Sequence, residues 1–247
     1  MSVSALLLAA RIASINLCTD EYLLLLGKPQ EIASVSYLSQ QPEESPLWRR
    51  ARAHHANYGS FEQVLAARPT VLLTMGGGGR ATSLIARRMG IRAVDLVPPS
   101  SVQDVATNLR TVAAALGQPQ RARLWLKRLA ELRRTNPPRA REAIYLGGGG
   151  RSISEGSPDI EWLRLAGFRQ RPLPGGRASL ETLLVHPPEV LIESNYRKGP
   201  ASSGTAWLNH PIVRRTKARR LSADGRVWTC MGPLMIFEIE RLRKAAG

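Results

Sequence analysis

Aromatic side chains in predicted loops are the first candidates for ligand contacts. Tyr37, Tyr58, Tyr196 and Trp207 lie in segments rich in Pro, Gly and polar residues, where a place in a core is a less natural explanation. Rings at such positions suit a large planar or apolar ligand. Trp228 lies in a run predicted as the last strand. A Trp there belongs to the core at least as readily as to a binding site, and we include Trp228 among the candidate binding residues.

The segment Asn16-Leu-Cys-Thr-Asp20 joins a short apolar run to a predicted helix. Thr19 or Asp20 is placed to cap that helix, which is a structural role. The same helix N-terminus would present N–H groups to an anionic part of a ligand. We therefore include Asn16, Cys18, Thr19 and Asp20 among the candidate binding residues.

Two glycine runs, Gly76–Gly79 and Gly147–Gly150, each follow a predicted strand. Neither run has the spacing of a dinucleotide fingerprint or the Lys-Ser/Thr of a P-loop, so flexible turns are the better interpretation. The carboxyl ends of strands are still where ligands bind in open α/β sheets, and Gly76 therefore remains a candidate binding residue.

Catalytic and metal-binding motifs are not visible. The sequence has no G-x-S-x-G elbow and no H-E-x-x-H pair. His54, His55, His186 and His210 are scattered among predicted loops and precede prolines in two cases. Histidines scattered in this way do not match the ligand spacing of a zinc or manganese site.

The elements that must position these residues alternate between strand and helix. This alternation predicts βαβ units, parallel sheets and an α/β fold. A stop at Thr135-Asn-Pro-Pro separates two such halves, which are joined by a helix. The predicted strands are 11–17, 31–35, 70–74, 93–97, 143–146, 190–193 and 226–229, and the predicted helices are 20–26, 60–67, 81–89, 100–116, 119–134, 160–165, 180–185 and 234–244.

An internal repeat supports two similar halves. The block from Ser60 to Leu73 parallels the block from Ser179 to Ile192 at an offset of 119 residues, and both read as helix, Pro and buried strand. Glu62 matches Glu181. The helix dipole explains either carboxylate singly, whereas a pair at the same position suits a two-fold symmetric partner with basic residues.

Composition limits the class of protein. The chain has 247 residues, of which 43% are hydrophobic, and this excludes a disordered chain. No apolar run reaches the roughly 18 residues of a membrane helix, which argues against an integral membrane protein. The formal net charge is +16, but the Arg residues are scattered, so we expect no nucleic-acid partner.

The first ten residues, MSVSALLLAA, contain a short apolar stretch that ends in small residues. They suggest the remnant of a secretory signal without its basic region, or a start without any targeting role.

Four features of the sequence carry a resemblance to a known family: the run Arg11-Ile-Ala-Ser-Ile-Asn-Leu-Cys-Thr-Asp, the Gly59-Ser-Phe-Glu block with Arg-Pro-Thr-Val-Leu-Leu, the joining helix, and the repeat of that block in the second half. With these features the sequence resembles the periplasmic substrate-binding proteins of ABC importers for vitamin B12, iron siderophores and haem. The resemblance covers residues 11–247. At position 70 this chain has Thr, whereas the family usually has Asp at that point of the block.

This resemblance implies two Rossmann-like lobes with parallel sheets, joined by a single long helix, with the ligand in the inter-lobe cleft. The implied division is a signal remnant 1–10, an N-terminal lobe 11–117, a connecting helix 118–137 and a C-terminal lobe 138–247. The family's permease-docking glutamates map to Glu62 and Glu181. Trp228 falls where the B12-binding member places an aromatic side chain.

We therefore expect a periplasmic, monomeric and non-catalytic binding protein that captures a corrinoid or ferric siderophore-type metal chelate and delivers it to an ABC permease dimer. No cofactor is expected, although the ligand itself would contain cobalt or iron. A zinc- or manganese-binding protein of related fold is the alternative, and a nucleotide-dependent α/β enzyme is a third. The two halves each end a predicted strand with a cysteine, Cys18 and Cys230. Both are candidate binding residues, and we expect free thiols because a bond across the cleft would obstruct the ligand.

Overall fold

The computed structural model describes residues 10–76, 80–196 and 203–247. The chain divides into two compact units. The first comprises residues up to 98 together with 107–123, and the second comprises 99–106 together with 124–247. No helix within the described ranges is both long enough and apolar enough to cross a membrane.

The first unit is built on a five-stranded sheet in the order β3-β2-β1-β4-β5, and every neighbouring pair is parallel. Its central strands are buried on both faces, as their largely apolar sequences predict. The order reverses between β1 and β4, which are paired through Ile12 and Val71. The strands are β1 (Ile12–Ser14), β2 (Ile32–Ser36), β3 (His55–Asn57), β4 (Val71–Met75) and β5 (Arg92–Leu96).

Helices connect these strands, and a 3-10 turn, Tyr37–Gln40, follows β2 directly. Ala13, Val64, Leu72, Ala86 and Ile91 form an apolar cluster between sheet and helices. The helices are α1 (Leu17–Leu26), α2 (Trp48–Ala51), α3 (Phe61–Ala66) and α4 (Arg80–Arg88). Two longer helices follow, α5 (Val102–Ala115) and α6 (Pro119–Arg134), and the division between the units falls within each of them.

The second unit has a four-stranded parallel sheet in the order β7-β6-β8-β9. Ile144, Leu146, Leu183, Leu191 and Val213 form its apolar cluster. The strands are β6 (Arg141–Leu146), β7 (Phe168–Gln170), β8 (Val190–Ser194) and β9 (Arg219–Ala223). The helices are α7 (Asp159–Leu165), α8 (Leu180–Val185), α9 (Ser203–Leu208), α10 (Pro211–Arg215), α11 (Gly225–Cys230) and α12 (Met235–Ala246).

The repeat found in the sequence is reproduced in the elements. α3 and β4 in the first unit have the same lengths as α8 and β8 in the second, and their bounds differ by 119 residues at every end. Ser60 and Ser179 cap the two helices alike, because each hydroxyl accepts a hydrogen bond from the backbone N–H three residues later. The two parallel-sheet lobes predicted from the sequence are therefore confirmed.

The last predicted strand, 226–229, is wrong. Those residues lie in α11, and the strand is β9, whose burial alternates with one face inward. The Val-Trp-Thr run favours a strand by composition, but Asp224 caps a helix there by accepting the N–H of Arg226. The short edge strands β3 and β7 were absent from the prediction because three-residue, half-polar strands carry almost no pattern.

Candidate functional site

The turn after β1 is held by its own side chains. Asn16 caps α1, because its Oδ1 accepts the backbone N–H of Thr19 at 2.9 Å. The Thr19 hydroxyl donates to the Asn16 carbonyl at 3.1 Å and lies 2.6 Å from the hydroxyl of Ser14. The capping residue is therefore Asn16 rather than Thr19 or Asp20, the two residues that the sequence favoured.

Thr19 and Asp20 are both fully buried inside the first unit. They were predicted as ligand contacts, but in this structure neither presents any surface to a ligand. The packing of α1 against β1, β2 and β4 explains the difference, since every residue from Thr19 to Leu24 is buried. Both side chains instead hold neighbouring backbone in place.

The Asp20 carboxylate connects α1 to the end of β2. Both of its oxygens accept the backbone N–H of Ser36, at 3.2 Å and 3.0 Å. Burial raises the pKa of Asp20 to about 7, and the neighbouring polar groups of Ser14, Ser36 and Ser39 act in the opposite direction without compensating for it. This carboxyl group therefore changes charge near neutral pH.

Tyr37 and Tyr58 form an exposed aromatic pair at the carboxyl ends of β2 and β3. Their ring centroids are 4.8 Å apart and their planes are inclined by 27°, a stacked arrangement. Tyr37 is 38% exposed and Tyr58 is 69% exposed. The structure thus brings together two of the predicted binding residues and leaves their ring surfaces available.

Asn57, which precedes Tyr58, fixes the base of this pair and was missed by the sequence reasoning. Its side-chain amide donates to the carbonyl of Ser14 at 2.8 Å and to the hydroxyl of Ser34 at 3.1 Å, so it links three adjacent strands. The residue is fully buried. A lone Asn between a strand and a Gly is a common turn signal, and nothing in the sequence marks it as a link between strands.

Gly76 follows β4 and turns the chain. Its φ is +75°, a conformation that favours glycine, and its N–H donates to Leu96 at 3.1 Å. A Cβ at this position would lie 2.9 Å from Pro98. The structure gives Gly76 a backbone role, while the remainder of the predicted loop, Gly77–Gly79, lies outside the described residues.

A second aromatic pair, Tyr145 and Trp228, is buried in the second unit, so Trp228 is packed as a core residue and does not present the ring surface predicted for ligand contact. The rings are 4.7 Å apart and tilted by 45°, and the two residues are only 8% and 6% exposed. Burial is the main influence on the phenol of Tyr145 and raises its pKa, so that group stays neutral. The indole N–H of Trp228 is buried and has no hydrogen-bond partner in the described part of the chain.

Tyr196 follows β8 and is 37% exposed. Gly225, the first residue of α11, approaches it closely: a Cβ there would lie 2.4 Å from the hydroxyl of Ser194 and 2.6 Å from Cβ of Tyr196. Only glycine allows α11 to start so near the end of β8, and Trp228, three residues later on α11, contacts Tyr145 of β6.

Cys18 and Cys230 are both disulfide-bonded, so the prediction of two free thiols is wrong. That prediction assumed that each thiol ends a strand and faces the ligand. The structure places Cys18 in the first turn of α1 and Cys230 at the end of α11, where neither thiol has that position.

Glu62 and Glu181 are both exposed, one on α3 of the first unit and one on α8 of the second. Neither makes an ion pair within the described residues. Their predicted exposure is confirmed, and so is their placement on separate units. Each carboxylate is in the first turn of its helix, where the dipole stabilises it.

No group of three or more His, Cys, Asp or Glu residues is arranged to hold a metal ion among residues 10–76, 80–196 and 203–247. The four histidines do not converge there, and the metal-ion alternative finds no support.

Parallel sheets whose strand order reverses at the centre, with candidate contacts at carboxyl strand ends, define a ligand-binding α/β protein. The chain belongs to the periplasmic binding protein family, whose model matches residues 12–144. Proteins of this family are non-enzymatic substrate-binding proteins that deliver ligands to ABC permeases. No curated protein matches the chain.

Solved structures share the fold over nearly the whole chain. The periplasmic haem-binding protein RhuT from Roseiflexus sp. RS-1 is 20% identical with a TM-score of 0.69, covering 97% of this chain and 100% of that one. The haem-binding protein HutB of Vibrio cholerae is 19% identical with a TM-score of 0.74, covering 96% and 99%. The vitamin B12-binding protein BtuF of Vibrio cholerae is 19% identical with a TM-score of 0.64, covering 96% of both chains.

Proposed function

We propose that this periplasmic binding protein captures a metal chelate with a broad planar or apolar face, of the haem or corrinoid type, with ferric siderophores as the next candidates. The observation that carries the proposal is the exposed Tyr37–Tyr58 stack. Two large rings left partly in water at strand ends lose little by accepting a ligand and gain contact area when one stacks on them.

The phenol of Tyr58 adds a second property to this surface. It is the more exposed of the two side chains, and a phenolate oxygen is a known ligand of haem iron in proteins. Similar structures that are named for haem and for vitamin B12 support the same ligand class. The cobalt or iron would arrive with the ligand, as cargo.

Titration of the purified protein with hemin, cyanocobalamin and a ferric hydroxamate, followed by visible absorption, tests the ligand class. Tyr58→Leu removes the ring and should weaken binding of the true ligand about tenfold, as expected for lost aromatic contact. Tyr58→Phe keeps the ring but removes the oxygen. A loss in the Leu variant alone indicates stacking, and a loss in both indicates coordination.

Leu124→Ala, at an exposed position on α6, is the matched control and should bind normally. Absence of binding to all three probes would overturn the proposed ligand class. Unchanged affinity in Tyr58→Leu would remove the tyrosine pair from the site.

We also propose that Glu62 and Glu181 dock the protein on the permease dimer. Support comes from their exposure, their identical positions in α3 and α8, and the absence of an ion-pair partner for either within the described residues. A permease made of two copies would present the same basic surface twice, which suits two matching carboxylates.

Reversing both glutamates to Lys tests the docking role. Exposed charges contribute little to folding, so stability and ligand affinity should be unchanged. Transport in a reconstituted importer should fall by about tenfold or more, because like charges repel at an interface. Glu43→Lys, an exposed acid outside the repeat, is the control. Normal transport by the double variant would exclude the docking role.

A further inference from the structure

The buried carboxylate of Asp20 is linked to the exposed tyrosine pair through one residue. Asp20 lies in the first turn of α1 and accepts the N–H of Ser36 with both oxygens. Ser36 ends β2, and the next residue is Tyr37, which opens the 3-10 turn and stacks on Tyr58. The backbone that carries one ring of the pair is therefore held by this carboxylate.

A second hydrogen bond also holds Ser36 in this turn. The hydroxyl of Ser39 donates to the Ser36 carbonyl at 2.8 Å, so the peptide groups on both sides of Ser36 are hydrogen-bonded. Ser36 and Ser39 are almost fully buried. The hydrogen bonds between Asp20 and Ser36 are direct, so a change in the charge of Asp20 acts on the Ser36 amide itself.

Few other titratable groups lie near Asp20. α1 packs mainly against β1, β2, β4 and the 3-10 turn. Among those elements the only titratable side chain is Tyr37. On α1 itself the others are Cys18, which is disulfide-bonded, Glu21 and Tyr22.

We propose that Asp20 is a positioning residue whose charge state sets how firmly the Ser36–Tyr37 backbone, and with it the Tyr37–Tyr58 stack, is held for the ligand. The ligand role of the stack rests on the proposed function. The positioning of the stack by Asp20 does not.

The direction of the effect follows from hydrogen-bond strength. An ionised carboxylate accepts an N–H bond about twice as strong as a neutral acceptor does. Since burial raises the pKa of Asp20 to about 7, the charged form dominates above neutral pH and the neutral form below it. The stack is held firmly above neutral pH and more loosely below it.

The first experiment needs no ligand. In the wild-type protein, the amide resonance of Ser36 and the ring resonances of Tyr37 and Tyr58 are followed by NMR from about pH 5 to pH 9. We expect all three to move with one midpoint near neutrality, and Asp20→Asn to abolish that shared titration. Glu43→Gln removes a nearby exposed carboxylate and should leave it intact. The proposal would be overturned if the tyrosine resonances do not share the midpoint of the Ser36 amide. It would also be overturned if they still titrate with that midpoint in Asp20→Asn.

The second experiment measures binding of hemin and cyanocobalamin. For whichever probe binds, wild-type affinity should fall about threefold to tenfold from pH 8 to pH 6, the difference between a charged and a neutral hydrogen bond. Asp20→Asn should show the lower affinity at both values, and Glu43→Gln should behave as wild type. An equal pH dependence in wild type and Asp20→Asn would contradict the role. If neither probe binds, the ligand class fails, and the NMR titration still decides whether Asp20 positions the stack.

Discussion

The two units contain aromatic pairs with nearly equal separations between ring centroids and opposite exposure. Tyr37 and Tyr58 are 4.8 Å apart and lie partly in water, whereas Tyr145 and Trp228 are 4.7 Å apart and almost completely buried. Tyr37 and Tyr58 each come directly after a strand. Tyr145 lies within β6, and Trp228 on α11 covers it. Ring contact alone therefore does not identify a binding surface; the position relative to the strand end does.

The largest loss of stability among these tests is expected when Trp228, the buried ring, is replaced. Trp228→Ala should lower the free energy of unfolding by about 3–5 kcal/mol, because a large buried ring is lost and a cavity remains. Urea unfolding of the oxidised protein measures this. A loss below about 1 kcal/mol would mean that the ring is not packed as a core residue.

The next largest effect concerns Asp20, which lies beneath the exposed pair. Its pKa in the folded protein, about 7, exceeds the ordinary value of 3.8, so between these values the folded state binds more protons than the unfolded state. Stability therefore falls as pH rises through this window and levels off above it. The difference amounts to at most about 4 kcal/mol.

Unfolding of wild type and Asp20→Asn across this window isolates that contribution. The Asn variant cannot ionise, so its stability relative to wild type should increase from about pH 4 to pH 7. Parallel stability curves would show that Asp20 titrates normally.

A smaller effect compares the duplicated helices directly. Ser60→Ala and Ser179→Ala each remove one capping hydroxyl, whose distances to the accepted N–H groups are 3.3 Å and 3.0 Å. Each should cost about 1 kcal/mol. Thermal unfolding of the two single variants measures the losses of stability. Losses that differ by more than about twofold would show that the caps of α3 and α8 do not stabilise the protein equally.

The smallest change in stability is expected at the exposed pair. Tyr58→Leu should alter the free energy of unfolding by no more than about 0.5 kcal/mol, the usual range for surface substitutions. Measured beside Trp228→Ala, it tests the contrast between the two pairs. A cost comparable to that of Trp228→Ala would make Tyr58 a structural residue.

The scaffold was largely predictable because its signals are local. Buried strands such as Val71–Met75 are largely apolar in sequence, and the repeated Ser-x-Glu helices carry their caps in the sequence. The error at 226–229 arose where a capped helix of six residues contains β-favouring side chains. Local propensity is overridden there by the Asp224 cap and the close approach of Gly225.

The candidate site was only partly predictable. Exposed loop tyrosines could be identified from their neighbours, but their stacking depends on β2 and β3 being adjacent, a non-local fact. Asp20 was predicted as a helix cap or a ligand contact, and both roles need an accessible carboxylate. Its burial depends on β2 ending opposite α1, where the Ser36 N–H replaces water.

The strand order also determines how the chain must fold. β1 acquires its second neighbour only when Ile12 pairs with Val71, 59 residues further along the chain. Closing so long a loop costs entropy before any contact compensates for it, which slows folding. Until that closure, one edge of β1 remains an open template on which other chains can pair. The interval before β4 pairs with β1 is therefore a stage at which aggregation competes with folding.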